Sequence, residues 1–450
     1  MVPLFCVILG LVGAQNFTQK VFYYNQTIDH FHIPVQEAGV FSQRYYVIDD
    51  YWNVASGPIF LYLCGESECK GVTSTTKSLF PLQVAKENAA RYISLEHRYY
   101  GVSIPINNTG LFQQIFQYHD VDQALADIAQ FIRYMNFQMQ EIRKTTIPPK
   151  WVVIGGSYAG ALSAWFRTRY PNLATAAWAS SAVVRPILDF SDFDKQVYIS
   201  TAKSGQNCVD SIKSVNNLIQ SQYIAGNMTV ITDLFNATSV FSNDPDQITV
   251  LWYIADTMAE MVQYGKRVEL CQALNSASSP WDKLKQVSIV GNTYGLANPN
   301  AYAVSALKNL NIAQNVMDRQ WWWQQCQQFG WLQTPSEYQM RPSYLNMTFW
   351  NWYCQQIYSY PGGITLPNTN ITAAGLSYKA NNIVYTNGSE DPWQWASNNA
   401  VSTEARPILK IECDFCGHCI DFKTPNSTDP ASLTRARTYI KAYIAQWLRS

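Results

Sequence analysis

Short apolar runs alternate with amphipathic stretches in the first part of the chain. Residues 58–64 and 91–95 are rich in β-branched and aromatic side chains, which predicts buried strands. From about residue 120 to 143, apolar side chains recur at helical spacing. A further apolar run, 151–154, leads into GGSYAG and then into a helix that ends before Pro171. This alternation predicts a parallel sheet covered on both faces, and therefore an α/β fold.

The pattern changes in the middle of the chain and changes back near its end. Residues 190–378 have the pattern of helices and loops rich in Trp and Gln, whereas strand patterns resume at 383–386 and 408–411 before a terminal helix. We therefore expect a discontinuous core with a helical insertion. The predicted segments are a signal peptide at 1–14, the first part of the core at 15–189, the insertion at 190–378 and the second part of the core at 379–450.

The composition suits a folded protein with a large core, since 47% of the 450 residues are hydrophobic and 14% are charged. Lys and Arg together number 32, and so do Asp and Glu, so the charges cancel. A neutral chain has no electrostatic field suited to nucleic acid or to an anionic membrane surface, and we expect neither as a partner. Partners should be small or uncharged, and a homodimer is an open alternative.

The chain begins with a pattern typical of secreted proteins. MVPLFCVILGLVGA is an apolar run with small residues at Val12 and Ala14, which predicts a signal peptide cleaved after Ala14. The run is too short to span a membrane, so we expect no membrane anchor. Nine Asn-X-Ser/Thr sequons, of which one is at Asn387, agree with a secreted or lysosomal location. The eight expected glycosylation sites are Asn16, Asn25, Asn107, Asn227, Asn236, Asn346, Asn370 and Asn426.

Loss of the signal peptide removes Cys6 and leaves nine cysteines, most of which should pair in an oxidising compartment. The odd number leaves one cysteine free or bridging to another chain. A zinc site in CDFCGHC is the rival interpretation, with Cys413, Cys416, His418 and Cys419 as ligands. Because the adjacent His418 and Cys419 fit poorly around one ion, disulfides are favoured. We expect neither a metal nor another cofactor.

The strand, GGSYAG and helix arrangement supplies a candidate nucleophile, Ser157. A serine hydroxyl becomes a good nucleophile on a sharp turn, beside a base and near donors for the developing oxyanion. Small residues must flank such a serine because the bend brings backbones together, and Ala159 replaces the last glycine of the G-x-S-x-G pattern. An ordinary glycine-rich turn is the alternative, and the flanking strand and helix favour the catalytic interpretation.

A serine on such a turn predicts an acid and then a histidine downstream, each after a late strand. Asp391 follows the first late strand and His418 follows the second. The chain has five histidines, and His418 is the only one after Ser157. Glu390 is the alternative acid. His97 is close enough to an early strand end to line the site, although a structural hydrogen bond is favoured for it.

The oxyanion hole should combine the backbone amide of Tyr158, the residue after the nucleophile, with an amide from a loop after an early strand. LCGESEC places Gly65 and Glu66 in such a loop, and a glycine lets the backbone approach the substrate. An ordinary turn closed by a disulfide between Cys64 and Cys69 is compatible with this interpretation.

The motifs EHRYYG, GGSYAG, WQQCQQFGW, NGSEDPW and GHCIDF occur together in this order. With them, the chain resembles the family of lysosomal prolyl carboxypeptidase, dipeptidyl peptidase II and thymus-specific serine protease, and most of all the thymus-specific branch. The resemblance implies an α/β-hydrolase core with a helical cap and a triad of Ser157, Asp391 and His418. It favours Asp391 over Glu390 and implies cleavage near peptide ends, often beside proline. Members more often show a loop such as GGEG where this chain has CGES.

We therefore expect a serine exopeptidase acting on short peptides, with dipeptidyl-peptidase or carboxypeptidase activity. Aromatic rings suit the flat face of proline, and Trp393 is a candidate for this contact among tryptophans that are mostly expected to be packing residues. A carboxylate such as Glu66 would select an amino end and an arginine would select a carboxyl end, and the sequence does not decide between them. A lipase or esterase of the same fold and an inactive binding protein are the alternatives.

Overall fold

A computed structural model describes residues 18–32, 34, 39–73, 76, 78–106, 115–311, 317–359, 363–365 and 380–450. The expected signal peptide and the sequons at Asn16, Asn107 and Asn370 lie outside the described residues. Within these ranges, no helix is both long enough and apolar enough to cross a membrane.

One large sheet organises the chain. The strands in the described ranges are β1 (Gln19–Thr27), β2 (Val40–Ile48), β3 (Ile59–Leu63), β4 (Arg91–Leu95), β5 (Trp151–Gly156), β6 (Ala176–Ser180), β7 (Ile187–Asp189), β8 (Gly330–Leu332), β9 (Ile383–Gly388) and β10 (Ile408–Ile411). Eight of them form a sheet in the order β1-β2-β4-β3-β5-β6-β9-β10. β2 is antiparallel to both neighbours, and the other adjacent pairs are parallel. The carboxyl ends of the parallel strands therefore meet at one edge.

Helices cover both faces of this sheet and form the middle of the chain. The α-helices in the part of the chain that the structure describes are α1 (Phe80–Glu87), α2 (Val121–Arg143), α3 (Tyr158–Arg169), α4 (Ser191–Ala202), α5 (Gln206–Ile224), α6 (Met228–Leu234), α7 (Thr238–Phe241), α8 (Ile248–Gln263), α9 (Arg267–Asn275), α10 (Pro280–Tyr294), α11 (Val304–Leu307), α12 (Asp318–Gln324), α13 (Met347–Tyr358) and α14 (Ala431–Arg449). The long helix α2 begins where the Asp120 carboxylate accepts hydrogen bonds from the N–H groups of Asp122 and Gln123. It ends at Lys144, which adopts a left-handed conformation.

Side chains of the central strands alternate between two buried clusters. In β3, Ile59 and Leu61 join the larger cluster, whereas Phe60 joins the smaller one on the opposite face. Helices α2 and α3 cover the first face, and α1 and α14 cover the second. Burial on both faces explains why these strands are continuous apolar runs in the sequence. The predicted parallel sheet, covered on both sides, is confirmed.

The helices α4 to α13 lie between β6 and β9 in the chain and form a cap over the core. The disulfide Cys208–Cys271 joins α5 to α9, and Cys326–Cys354 joins the end of α12 to α13. This region is not purely helical, because β8 pairs in parallel with β7 in a second, two-stranded sheet. A helical insertion was predicted, but these short strands were missed. The architecture is an α/β-hydrolase core with a large inserted helical cap.

Two further disulfides lie in the core, Cys64–Cys69 and Cys413–Cys416. Cys419 is buried and is the one cysteine without a partner among those described. Disulfide bonding, which was favoured over a zinc site in CDFCGHC, is thereby confirmed, and Cys413 and Cys416 are not available to a metal as thiolates.

Candidate active site

Ser157 occupies the sharp turn between β5 and α3. Its φ of 60° and ψ of −127° are a conformation that few L residues adopt. The bend requires small neighbours, since a Cβ on Gly155 would lie 2.0 Å from the carbonyl oxygen of Ala159. The Ser157 N–H donates to the Ser180 carbonyl oxygen at 2.9 Å, which ties the turn to the end of β6. The serine hydroxyl is thus held at the carboxyl edge of the sheet.

Asp391 and His418 meet after the two last strands. Asp391 follows β9 and caps a short 3₁₀-helix, Pro392–Ala396, by accepting a hydrogen bond from the Trp393 N–H at 2.9 Å. Its second oxygen accepts one from the Nδ1–H of His418 at 2.8 Å. Both side chains are buried. With its proton on Nδ1, the neutral imidazole carries its lone pair on Nε2, the atom that accepts a proton from a serine in a triad.

The electrostatic surroundings of His418 stabilise the protonated form of its imidazole ring. Burial lowers the pKa of His418, but the Asp391 carboxylate together with Cys419 outweighs burial and leaves the pKa well above its ordinary value. The carboxylate therefore stabilises the imidazolium that forms when the base takes a proton.

Contacts between neighbouring residues bring the serine turn and the histidine loop together. A Cβ on Gly156 would lie 2.8 Å from the sulfur of Cys419, the residue after His418. The Cys419 N–H donates to the Ser181 hydroxyl at 2.9 Å, and its sulfur lies 3.9 Å from the Ser180 carbonyl oxygen that the Ser157 N–H also contacts. The turn that carries Ser157 and the loop that carries His418 are therefore in contact at the edge of the sheet.

The alternative acid, Glu390, makes other contacts. Its carboxylate is fully buried and lies 3.0 Å from the Arg267 Nε and 3.4 Å from the Lys203 Nζ. Because Arg267 and Lys203 belong to the cap, Glu390 joins the cap to the core. It is Asp391, not Glu390, whose carboxylate contacts the His418 ring.

The loop after β3 lies against the start of α3. Gly65 has a φ of 69°, and a Cβ there would approach the Ala159 Cβ to 3.1 Å and the Ala159 nitrogen to 3.6 Å. The loop is therefore close to the amides that follow Ser157. Glu66 is half-buried, and burial raises the pKa of its carboxyl to about 7, although the positive charge of His418 lowers it. The loop of Gly65 and Glu66 thus packs against Ala159, the residue after Tyr158.

The Tyr158 side chain is the centre of a buried hydrogen-bond chain. The hydroxyl of Tyr100 donates to the Gln324 Oε1 at 2.6 Å, and the Gln324 Nε2 donates to the Tyr158 hydroxyl at 2.8 Å. That hydroxyl lies 3.0 Å from the His97 Nε2, whose Nδ1 lies 2.6 Å from the Arg98 carbonyl oxygen. His97 accordingly has the structural hydrogen-bonding role that was favoured for it.

Two glutamines of the cap that sequence analysis did not select contact the site. Besides Gln324, Gln263 at the end of α8 accepts a hydrogen bond from the His418 N–H at 2.7 Å through its carbonyl oxygen. Its side-chain oxygen accepts one from the Trp393 indole at 2.9 Å. The spacing of residues in the sequence does not predict these contacts, because they depend on how the cap packs on the core.

Trp393 borders the site but exposes little surface. Its ring centroid lies 6.4 Å from that of His418 and 5.3 Å from that of Phe193, and the side chain is 5% exposed. Trp321 and Trp322 are also buried. Most of these tryptophans are packing residues, as expected.

An α/β-hydrolase core with a serine on the turn after β5 defines the class of serine hydrolases. More specifically, a family model described as Serine carboxypeptidase S28 matches residues 26–440. The chain belongs to this family and is a serine-type peptidase, whose substrates are peptides. The resemblance inferred from the sequence motifs is thereby confirmed.

Named relatives are similar over nearly their whole length. "Probable serine protease EDA2" of Arabidopsis thaliana is 33% identical and the match covers 96% of this chain and 89% of that protein. "Thymus-specific serine protease" of Homo sapiens is 29% identical, with coverage of 96% and 87%. "Lysosomal Pro-X carboxypeptidase" of Homo sapiens is 27% identical, with coverage of 97% and 89%.

Proposed function

We propose that this peptidase is a serine exopeptidase that uses Ser157, His418 and Asp391 as its catalytic triad. The observation that carries the proposal is the hydrogen bond of 2.8 Å between the His418 Nδ1 and Asp391, which keeps the imidazole proton on Nδ1 and the lone pair on Nε2. Ser157 attacks the scissile carbonyl carbon while Nε2 takes its proton, and the same proton passes to the leaving amine. Water then hydrolyses the acyl-enzyme by the same route in reverse.

The developing oxyanion is held by backbone amides in this proposal. The Tyr158 N–H follows the nucleophile, and the loop of Gly65 and Glu66 provides the second donor from the position that it occupies against Ala159. The fixed Tyr158 side chain supports this role, because its hydroxyl is held by Gln324 and lies beside His97. Cleavage beside proline, with Trp393 lining the substrate pocket, is carried over from the family resemblance.

A secreted or lysosomal location agrees with the four disulfides of the described residues. Asn387, which was left out of the expected glycosylation sites, is buried in β9. The expected sites that fall in the described ranges are all exposed: Asn25, Asn227, Asn236, Asn346 and Asn426. The homodimer left open by the sequence receives no support.

A fluorophosphonate probe tests the proposal. The purified, disulfide-bonded protein should be labelled at Ser157, and Ser157→Ala should lose both labelling and peptide hydrolysis. Ser163→Ala, further along the same helix, is the matched control and should still be labelled. Labelling that persists in Ser157→Ala would refute the nucleophile. Hydrolysis of acyl esters without any hydrolysis of peptides would favour a lipase or esterase, and a protein with neither labelling nor turnover would be a binding protein.

A further inference from the structure

The loop that carries His418 is fastened to the strand β6 by a buried carboxylate. Asp421 follows His418 in the short 3₁₀-helix Ile420–Phe422 and is 1% exposed. Its two oxygens accept hydrogen bonds from the Ser180 hydroxyl at 2.5 Å and from the Trp178 indole at 2.8 Å. Trp178 and Ser180 are alternate residues of β6, so their side chains leave the same face of the sheet. One carboxylate therefore ties the histidine loop to the end of one strand.

The end of β6 contacts all three parts of the proposed triad. In the sheet, β6 lies between β5, which ends at the turn of the nucleophile, and β9, which leads to the acid. The Ser180 carbonyl oxygen accepts the Ser157 N–H at 2.9 Å. The next residue, Ser181, donates its N–H to the Thr386 carbonyl oxygen at 2.8 Å, and its hydroxyl accepts the Cys419 N–H at 2.9 Å. The nucleophile turn, the acid strand and the histidine loop are thus all hydrogen-bonded to the same two residues.

The backbone between the base and Asp421 is in an unfavourable conformation. Cys419 has a φ of 51° and a ψ of 33°, in the left-handed region that residues with a side chain adopt at a cost. Such a conformation persists only where the surrounding contacts hold it. Before this residue, the Gln263 carbonyl oxygen accepts the His418 N–H at 2.7 Å, and after it the Asp421 carboxylate is bound to β6. Without that carboxylate, the backbone can relax and carry the His418 ring with it.

Other contacts hold the 3₁₀-helix itself. Arg437 of α14 donates from Nε to the Asp421 carbonyl oxygen at 3.1 Å and from Nη2 to the Lys423 carbonyl oxygen at 2.6 Å. The Phe422 ring packs edge-on against the Trp178 ring, with centroids 5.0 Å apart. These contacts remain when the carboxylate is removed, so the loop should stay folded and only the position of the base should change.

Building on the proposed triad, we infer that Asp421 is a positioning residue for the reaction, whose carboxylate fixes the place of His418 relative to Ser157. It acts through the end of β6, to which the nucleophile turn and the histidine loop are both hydrogen-bonded. Proton transfer from the serine requires the two side chains to be held in reacting geometry, and a misplacement of about 1 Å can lower the rate about 10²-fold. Loss of the Asp421 carboxylate therefore affects the chemical step, not the binding of substrate.

Two substitutions of Asp421 test the inference in the full-length protein, with turnover expressed per Ser157 labelled to completion by fluorophosphonate. Asp421→Ala should lower kcat about 10²-fold and leave KM nearly unchanged. Asp421→Asn should recover most of kcat, because its amide oxygen can accept the Trp178 indole N–H while its NH₂ group donates to the Ser180 hydroxyl oxygen. A rise in KM without a fall in kcat, or an asparagine variant as slow as the alanine variant, would overturn the inference.

A nearby aspartate provides the matched control. The Asp429 carboxylate contacts the Arg437 guanidinium at 2.5 Å, so Asp429→Ala removes an acid from the surroundings of the same loop without changing the hydrogen bonds of Asp421 to β6. Its stability to denaturant should fall, while its kcat per labelled serine should remain that of the parent. If Asp421 only satisfies buried donors, Asp421→Ala will behave in the same way as this control, and the inference is wrong.

Ser180→Ala provides a second, milder test, because it removes one hydrogen bond of the carboxylate and leaves the one from Trp178. Its kcat should fall by a smaller factor than that of Asp421→Ala, and the double variant should be no slower than Asp421→Ala alone. If Asp421→Ala does not fold, Ser180→Ala decides the question, and an unchanged kcat overturns the inference. A parent protein that is not labelled at Ser157 would refute the triad and the inference with it, whereas a labelled parent with unchanged kcat in both variants would refute the inference alone.

Discussion

Glu390 and Asp391 are adjacent acids, yet loss of their charges should have opposite consequences. Asp391 accepts a hydrogen bond from His418 at 2.8 Å, whereas Glu390 lies 3.0 Å from Arg267. We predict that Asp391→Asn removes activity and that Glu390→Gln removes stability. The amides have nearly the size of the acids, so changes in packing contribute little to either result.

The Asp391→Asn variant should lose activity through the tautomer of the base. The amide donates a hydrogen bond to the His418 Nδ1, which moves the imidazole proton to Nε2, where it blocks proton transfer from Ser157. We expect kcat to fall about 10⁴-fold, or about 5 kcal/mol in activation free energy. Loss of the carboxylate also lowers the pKa of His418. Because a base works unprotonated, activity rises with pH through its pKa, and the acidic limb of the residual kcat/KM profile should move to lower pH.

The Glu390→Gln variant should instead weaken the contact between cap and core. Glu390 is fully buried and Arg267 is 3% exposed, so removal of the carboxylate leaves a buried guanidinium without its main partner. Breaking such a pair costs about 3–5 kcal/mol in unfolding free energy. The lower end applies here, because Arg267 keeps a contact of 3.0 Å with Asp414.

Denaturant unfolding and kinetics per labelled serine separate the two effects. Asp391→Asn should keep most of the parent's stability, and Glu390→Gln should keep most of its turnover per labelled site. The reverse pattern would make Glu390 the catalytic acid. Comparable loss of turnover in both variants would refute the separation of roles that the two sets of contacts indicate.

Two further substitutions probe the surroundings of the nucleophile. Tyr158→Phe removes the hydroxyl that links His97 and Gln324 and leaves buried polar groups unpaired. The unfolding free energy should therefore fall by about 1–3 kcal/mol. The kcat should also fall, because the backbone of the same residue carries the proposed oxyanion donor. Denaturation and kinetics per labelled site measure both, and an unchanged kcat would contradict that coupling. Glu66→Gln should flatten the pH dependence of stability. Burial raises the pKa of Glu66 to about 7 from an ordinary 4.5, so between these pH values the folded protein holds a proton that the unfolded chain releases. The stability of the parent protein therefore falls as pH rises through this interval. Thermal midpoints at several pH values would show this fall, and a parent midpoint that rises through the interval, or a Glu66→Gln variant with the same slope, would contradict it.

The central strands could be predicted because burial on both faces of the sheet requires continuous apolar runs in the sequence. β5 and β9 are continuous apolar runs, and both lie in the interior of the sheet. β1 was missed since it is an edge strand, where Val21 and Tyr23 are more than 49% exposed and do not follow a buried pattern. β7 and β8 were missed because each has three residues and pairs with a distant segment.

The site residues divide in the same way, into residues that a local sequence pattern reveals and residues that depend on contacts with distant segments. Ser157, Asp391 and His418 could be selected because each follows a strand, and the fold fixes where strand ends meet. The cap residues Gln324 and Gln263 could not be selected, since their positions depend on packing between a helical insertion and the core. Their burial and hydrogen bonds become visible only when the two parts are assembled.

The cap is part of the proposed catalytic machinery and more than a cover over it. Gln263 holds the backbone of His418, and Gln324 holds the side chain of Tyr158, so both the base and the proposed oxyanion donor are fixed by residues of the cap. Glu390 meets Arg267 across the same boundary. A movement of the cap would therefore change the histidine loop and the nucleophile turn together. It follows that the packing of the cap and the geometry of the proposed triad are physically coupled, because the cap helix α8 carries the carbonyl that positions the base.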